Sequence, residues 1–356
     1  MSTLKVTNLQ HPSALSANVT LDSDGSGISG VASVNGSQLG GYKNLIQNGN
    51  FSVSQRGSSF TTDNVYTLDR WYSSDGTGGS PARTFSQETF TLGQTDVPGA
   101  YYYARHDQTG ASTNGNSALL QRIEDVTRFD GQTVTLSFYA KADVSMDVEL
   151  LFAQIFGTGG SPSATVTLSE TVTIGTSWTR YTVTKTLGSL SGKTLGTDGV
   201  HTSCFRVQFV FQPTSTFTFD IALVQLEYGS TASDFEQESY GTTLQKVQRY
   251  YFRHKADGAN DPILGTASNW GASNAYAYIQ FPVQMRDTPS GSYSALTDFT
   301  YYIAGGTKTP TAMGLSTRAT NYAAEWDINS SGLTAGQAGW MRSANGSAYI
   351  EYDAEV

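Results

Sequence analysis

Apolar and polar residues alternate in short runs along most of this chain. Val134, Leu136, Phe138 and Ala140 are interleaved with Thr133, Thr135, Ser137 and Tyr139, the period of two that turns one strand face to a core and the other to solvent. The theme recurs in Val148-Leu150-Phe152, Ala164-Val166-Leu168, Tyr181-Val183, Phe205-Val207-Phe209-Phe211 and Phe217-Phe219-Ile221-Leu223. Glycine-rich stretches such as Gly157-Thr158-Gly159-Gly160 separate these runs. Short strands with glycine turns between them predict a β-sandwich of jelly-roll type over residues 44–239.

One helix is expected next. Leu244, Val247 and Tyr251 fall at helical spacing after Gly241, with Thr242 and Thr243 as candidate caps. The consecutive aromatics Tyr250-Tyr251-Phe252 then suit a strand. Alternation returns in Tyr276-Tyr278, Phe281-Val283, Phe299-Tyr301-Ile303 and Ala348-Ile350-Tyr352, which predicts a smaller β domain over 240–356. Residues 1–43 hold only isolated apolar positions, among them Leu4, Val6, Leu9, Val19, Leu21 and Ile28, too few to close a core. They are expected to form an extended arm that orders against a larger assembly. The fold class expected is all-β: arm, jelly-roll sandwich, one short helix, and a small C-terminal β domain.

Composition adds exclusions. Charged residues make up 14% of the 356, against about 25% in ordinary soluble domains. With Gly 37, Pro 9, Tyr 20 and Phe 17, the balance suits aromatic-rich strands and glycine turns and excludes a coiled coil. A formal net charge of −9 offers no basic field for phosphates, so nucleic acid is not an expected partner. The single Cys204 excludes a disulfide framework and reads as a small core residue. The start of the chain does not read as a secretory signal, and no apolar run is long enough to insert in a membrane.

Several segments suggest chemistry and then fail on spacing. His11, His106, His201 and His254 are too dispersed for a zinc site. Asp22-Ser23-Asp24-Gly25-Ser26-Gly27 places its glycine at the fourth position of a calcium loop rather than the sixth, with Ser33 at the twelfth. The 187–194 segment ends in Gly192-Lys193-Thr194, yet Leu187 stands where a phosphate loop needs its first glycine, so a hairpin loop is expected. No Gly-x-Ser-x-Gly elbow is present.

Other segments agree with one family in order and spacing. Asn44-Leu45-Ile46-Gln47-Asn48-Gly49-Asn50-Phe51, Gln55-Arg56-Gly57 and Leu68-Asp69-Arg70-Trp71 resemble the opening of jelly-roll modules in bacteriophage tail fibers. Ser137-Phe138-Tyr139-Ala140-Lys141, Trp178-Thr179-Arg180-Tyr181 and the run from Ala222 to Ala232 with Phe235-Glu236 continue the resemblance. So do Gln248-Arg249-Tyr250-Tyr251, Phe281-Pro282-Val283-Gln284-Met285-Arg286 and the terminal Asp353-Ala354-Glu355-Val356. The opening Ser2-Thr3-Leu4-Lys5-Val6, with His11-Pro12-Ser13-Ala14, is similar to N-termini of tail fibers from phages of marine bacteria. The resemblance implies a homotrimeric virion protein attached to phage tail proteins by its arm, with distal domains that contact the host surface. Attachment to the head, as a decoration fiber, is the alternative. The jelly roll also looks like carbohydrate-binding modules, whose first and last strands often share a structural calcium. In those modules Glu usually follows Asn-Gly-Asn-Phe, whereas Ser52 stands here, leaving Asp220 as the candidate metal ligand.

Some phage tail proteins cut polysaccharide with paired carboxylates, and Glu149, Glu170, Asp220 and Glu227 are candidates by location. No catalytic spacing emerges among them, and a non-enzymatic binding protein is expected. Sugars are held by rings stacked on their apolar faces and by neutral hydrogen-bonding groups at their edges. The C-terminal part supplies both in Asn269, Trp270, Tyr276, Asn321, Tyr322 and Trp326, with Asn274, Tyr278, Trp340 and Asn345 nearby in sequence. These are the candidate glycan-binding residues, toward a host surface polysaccharide. Core or trimer-interface roles remain open for Trp326 and Trp340. Tyr101-Tyr102-Tyr103 must expose at least one ring, because alternate residues face opposite ways.

Overall fold

The computed structural model describes residues 43–75, 81–111, 116–199, 202–211 and 214–356, together with five short strands before Lys43. Of these, β1 (Asn8–Leu9), β2 (Val19–Leu21) and β3 (Ile28–Ser29) pair in that order, and β4 (Ser33–Val34) pairs with β5 (Ser37–Gln38). The Asp22–Gly27 segment that fails as a calcium loop, His11, His201 and most of the arm lie outside the described residues.

Among the described residues the chain is all-β with one short α-helix. A front sheet runs β15 (Thr179–Thr186), β12 (Thr133–Ala142), β17 (Phe217–Tyr228), β10 (Tyr102–Gln108), β9 (Arg83–Thr89), β6 (Ser59–Phe60). A back sheet runs β14 (Val166–Ile174), β13 (Met146–Ile155), β16 (Cys204–Phe211), β11 (Ser117–Glu124), β8 (Tyr72–Asp75), β7 (Val65–Tyr66). The hairpins β7–β8, β9–β10 and β13–β14 each stay within one sheet, and elsewhere the chain crosses from one sheet to the other, as in a jelly roll. The inward residues of both sheets, Leu136, Phe138, Leu150, Phe152, Val207, Phe209, Phe219 and Ile221 among them, form one buried cluster.

Strict alternation fails in β17. The β12–β17 register shifts between Ser137 and Tyr139, and Leu223 adopts φ 49°, so the inward series passes from Ile221 to Val224 and Leu226. The bulge makes room for the Asn-Gly-Asn-Phe turn. The Val224 amide donates to the Gly49 carbonyl at 2.8 Å, and a side chain at Gly49 would meet the Val224 oxygen at 2.0 Å, so only glycine allows this approach.

After the sandwich comes α1 (Tyr240–Gln248), capped by Ser239, whose hydroxyl accepts from the Thr242 amide. The cap therefore falls earlier than the expected Thr242 and Thr243. Beyond it, β18 (Tyr251–Lys255), β27 (Tyr349–Asp353) and β21 (Ser290–Tyr293) form a small sheet. A larger sheet runs β23 (Gly306–Lys308), β22 (Phe299–Ile303), β26 (Ala338–Ser343), β19 (Pro262–Asn269), β20 (Asn274–Gln280), β25 (Ala323–Asn329), β24 (Ala312–Leu315). A second buried cluster, including Ile263, Phe299, Tyr301, Trp326, Met341 and Tyr352, lies between them.

The two parts are joined by buried charge. Arg70, 1% exposed, pairs with Glu355, gives Nε to Gln47 Oε1 at 3.0 Å and lies 3.4 Å over the Tyr250 ring. Arg56 lies 3.5 Å over the Tyr251 ring and pairs with Asp353 at 3.0 Å and Glu355 at 3.4 Å. Asp69 accepts from the Gln55 amide at 2.6 Å, and Gln55 in turn donates to the Tyr251 carbonyl at 2.9 Å. Arg286 donates to the Ala354 carbonyl at 2.7 Å.

Candidate functional site

The outer face of the larger C-terminal sheet carries rings with little to cover them. On β26, Trp340 alternates with buried Gly339 and Met341 and is 54% exposed. On β20, Tyr276 and Tyr278 alternate with buried Ala275 and Ala277, and Tyr278 is 62% exposed. Between these strands runs β19, whose outward residues are Thr266 and Ser268. Trp340 stands opposite Thr266, and Ser268 opposite Tyr276. Trp340 and the β20 tyrosines are thus two strand spacings apart, about 10 Å, with small hydroxyl residues as a floor between them. Trp270, in the turn that joins β19 to β20, is 75% exposed and meets the Tyr276 ring edge-on at 6.4 Å.

Polar groups surround this trough. Asp327 and Glu325 stand opposite Tyr276 and Tyr278. Arg318 donates Nε to Glu325 at 2.6 Å and lies 4.9 Å over the Tyr276 ring. On the far side Tyr302 stands opposite Trp340, and Arg342 lies 4.8 Å over its ring. Rings held by a rigid sheet, with hydroxyl, amide and charged groups at their rims, can stack on the apolar face of a sugar and bond its edges.

Four of the six expected site residues belong elsewhere. Trp326 is fully buried and gives its indole N–H to the Tyr352 hydroxyl at 2.7 Å, because β25 turns it to the core side and Asp327 to the outer face. Asn269 is also buried. Its amide oxygen accepts from the Tyr301 hydroxyl at 2.6 Å and its amide nitrogen donates to the Thr334 carbonyl at 3.2 Å, which anchors the turn that presents Trp270. Tyr322 is 60% exposed, but Asn321-Tyr322 precedes β25 and lies beside 281–285, through bonds from the Phe281 and Met285 amides. It sits at the opposite end of β20 from Trp270, about 20 Å along the strand. The structure therefore gathers Trp270 and Tyr276 with Tyr278, Trp340, Thr266 and Ser268, the last two of which no sequence signal marked.

The sandwich has aromatic residues on its own outer face, and these are packed. Phe90, Tyr103 and Trp178 contact one another with centroids 4.8 to 5.5 Å apart. Beside them are two polar clefts of about 340 and 380 Å³ that share Arg105. Of the tyrosine triplet, Tyr102 packs on the core, Tyr103 joins this cluster, and Tyr101 is 48% exposed.

Asp220 does not fit a calcium ion. Both its oxygens are taken by Arg105, at 2.8 and 3.0 Å, and Lys141 lies 3.7 Å away, so its charge is already neutralised. Ser52 bonds Asn50 in the opening turn instead. Among the described residues no group of three or more His, Cys, Asp or Glu could hold a metal. The acidic residues are likewise dispersed. Glu227 is buried and accepts from Ser233 and Gln225, and Glu170 pairs with Lys185 across the edge of the sandwich. Glu149 points outward from the back sheet and Asp220 outward from the front sheet. Burial holds the His106 imidazole neutral, down at about 3, packed against Phe211 and Phe217. In the 187–194 loop, Asp130 accepts from the Leu190 amide at 2.7 Å, so a carboxylate sits where a phosphate loop would place its ligand.

No protein-family profile matches the chain, and no curated protein does. Solved structures do resemble it. A putative sugar binding protein from Bacteroides thetaiotaomicron is 16% identical over 52% of this chain and all of its own, with TM-score 0.36. A family 4 carbohydrate-binding module is 18% identical over 52% of this chain and 99% of its own, with TM-score 0.32. The enzymatically active domain of tailspike protein 4 from bacteriophage CBA120 is 14% identical over 53% of this chain, with TM-score 0.35, and this chain spans only 22% of it. The likeness is one of β-sandwich fold.

Proposed function

We propose that this chain is a non-catalytic glycan-binding protein of a phage virion, a homotrimeric tail fiber that attaches to the tail through its N-terminal arm. The trough on the C-terminal sheet is its receptor surface and a host cell-surface polysaccharide its ligand. The observation that carries the binding reading is the trio Trp270, Tyr278 and Trp340, exposed by 75, 62 and 54% on one face. Large rings left open to water cost free energy unless a partner covers them, and the hydroxyl floor between them suits a sugar better than an apolar peptide. The virion role rests on the resemblance of the sequence motifs to tail fibers. Three copies on one fiber raise the apparent affinity of individually weak sites by effective concentration.

A glycan array probed with the full chain tests the binding. Selective binding to a set of bacterial surface glycans is expected, and a blank array contradicts it. Sedimentation of the full chain should show a trimer, and immunogold on intact particles should label the tail; label on the head would favour the decoration-fiber alternative. Incubation with purified envelope polysaccharide should release no reducing ends. Release that disappears with Glu149→Gln or Glu227→Gln would make the protein a depolymerase.

A further inference from the structure

Where Arg249 and Tyr250, between α1 and β18, meet the end of β11, the chain forms a cleft of about 230 Å³. Its charged lining is Arg70, Arg122, Arg128 and Arg249 with Glu124 alone opposite. In a chain of formal charge −9 this is a local reversal of sign. Arg70 is matched by Glu355 and Arg249 by Glu124 at 3.0 Å, but the others are not matched by acids. Arg122 donates to the neutral phenol of Tyr66 at 3.1 Å. Arg128 is exposed in the 3-10 turn Val126–Phe129 and pairs with no acid among the described residues.

A second feature points the same way. Arg206 on β16 stands directly opposite Arg122 on β11, and like charges so placed repel. Burial, and then Arg122, push the Arg206 guanidinium down from its usual range. Its buried Nε has no acceptor, and the buried Oε1 of Glu124 has no donor. Buried polar groups left unpaired are costly, and the one that lines the cleft is Glu124 Oε1, beside Arg122 and Arg128, which no acid matches. A ligand that brings an oxyanion and a hydroxyl together would answer both. The volume lies below the roughly 300–1,000 Å³ of sites that enclose a drug-sized ligand, so it suits one ring rather than a chain segment.

We propose that this cleft binds one acidic sugar, its carboxylate or phosphate held by Arg122 and Arg128 and one hydroxyl donated to Glu124. The inference does not rest on the C-terminal trough, since none of the trough's aromatic residues lines the cleft. Arginine suits the role because its planar fork grips an oxyanion through two parallel bonds.

The test is calorimetric titration of the full chain with trigalacturonate, neutral galactotriose and inorganic phosphate. Trigalacturonate is expected to bind, more weakly as sodium chloride rises, and about tenfold more weakly to Arg128→Ala and to Arg122→Gln. Arg128 is exposed, so its replacement leaves the fold intact, as melting would verify. Trp340→Ala should bind trigalacturonate as the unmodified chain does; loss of binding there would place this ligand in the trough and overturn the inference. Equal binding of galactotriose, or unchanged binding by both arginine variants, would also overturn it. Phosphate binding without any preference for trigalacturonate would assign the cleft to a free anion and refute the sugar.

Discussion

Arginine meets tyrosine in two regions of this molecule, with opposite consequences. At the joint between the sandwich and the C-terminal part, Arg70 and Arg56 lie 3.4 and 3.5 Å over Tyr250 and Tyr251, rings that are 4% and 2% exposed. On the outer sheet face, Arg318 and Arg342 lie 4.9 and 4.8 Å over Tyr276 and Tyr302, with one face of the trough open to water. In the joint both rings are covered by guanidinium groups and Arg70 and Arg56 are paired with carboxylates inside the chain, so the pairing fixes how the two parts sit. On the outer face the same residue types leave ring surface uncovered, and that surface is available to a ligand. Burial, not residue type, separates an assembly device from a binding surface.

The largest effect that would break this contrast is at Arg70. Arg70→Ala takes from buried Glu355 its closer cation, leaving only Arg56 at 3.4 Å, and uncovers Tyr250. A loss of about 3–5 kcal/mol is expected from urea unfolding, together with easier proteolysis near α1. A loss under 1 kcal/mol would mean that the joint is not held by its buried charges.

Next comes the pH dependence of the joint. Burial pushes Asp69 up to about 6, against the pull of Arg56. Between the ordinary carboxylate value, about 4, and about 6 the folded chain holds this proton and the unfolded chain does not. Stability from this group therefore falls as pH rises through that window, by at most about 1.4 kcal/mol per pH unit, and is level above it. Asp69→Asn removes the titration, so the variant should gain on the unmodified chain as pH rises from 4 to 6. A difference that stays constant across the window would contradict this.

The smallest stability effects should fall on the open face, where binding changes instead. Trp270→Ala and Trp340→Ala are each expected to weaken glycan binding about tenfold, or about 1.4 kcal/mol. Folding stability should change by under about 0.5 kcal/mol. If either replacement costs several kcal/mol in urea with binding unchanged, that ring is a packing residue and the contrast fails there.

Much of this was legible in the sequence, unevenly. Period-two alternation marks β12, β13, β16 and β17, because a sandwich strand buries one face and wets the other. It misplaces Leu223, because a bulge changes the face in mid-strand. Several segments that carry the tail-fiber resemblance, Gln55-Arg56, Asp69-Arg70, Arg249-Tyr250-Tyr251, Arg286 and 353–356, converge in the joint. They lie up to about 300 residues apart in sequence, and no local periodicity announces a contact of that kind. In the trough, Trp270 and Tyr276 stand out by composition, but Trp326 and Trp340 look alike until strand register decides that one faces the core and the other solvent. Thr266 and Ser268 are visible only once β19 is seen to lie between β20 and β26.

The indole N–H resonances of the full chain, followed as an array-positive oligosaccharide is added, test the central claim most directly. Trp270 and Trp340 should shift on titration, while Trp326 and Trp71, both fully buried, stay in place. Movement of Trp178 alone would put the sugar on the sandwich face, and the C-terminal trough would then not be the receptor surface.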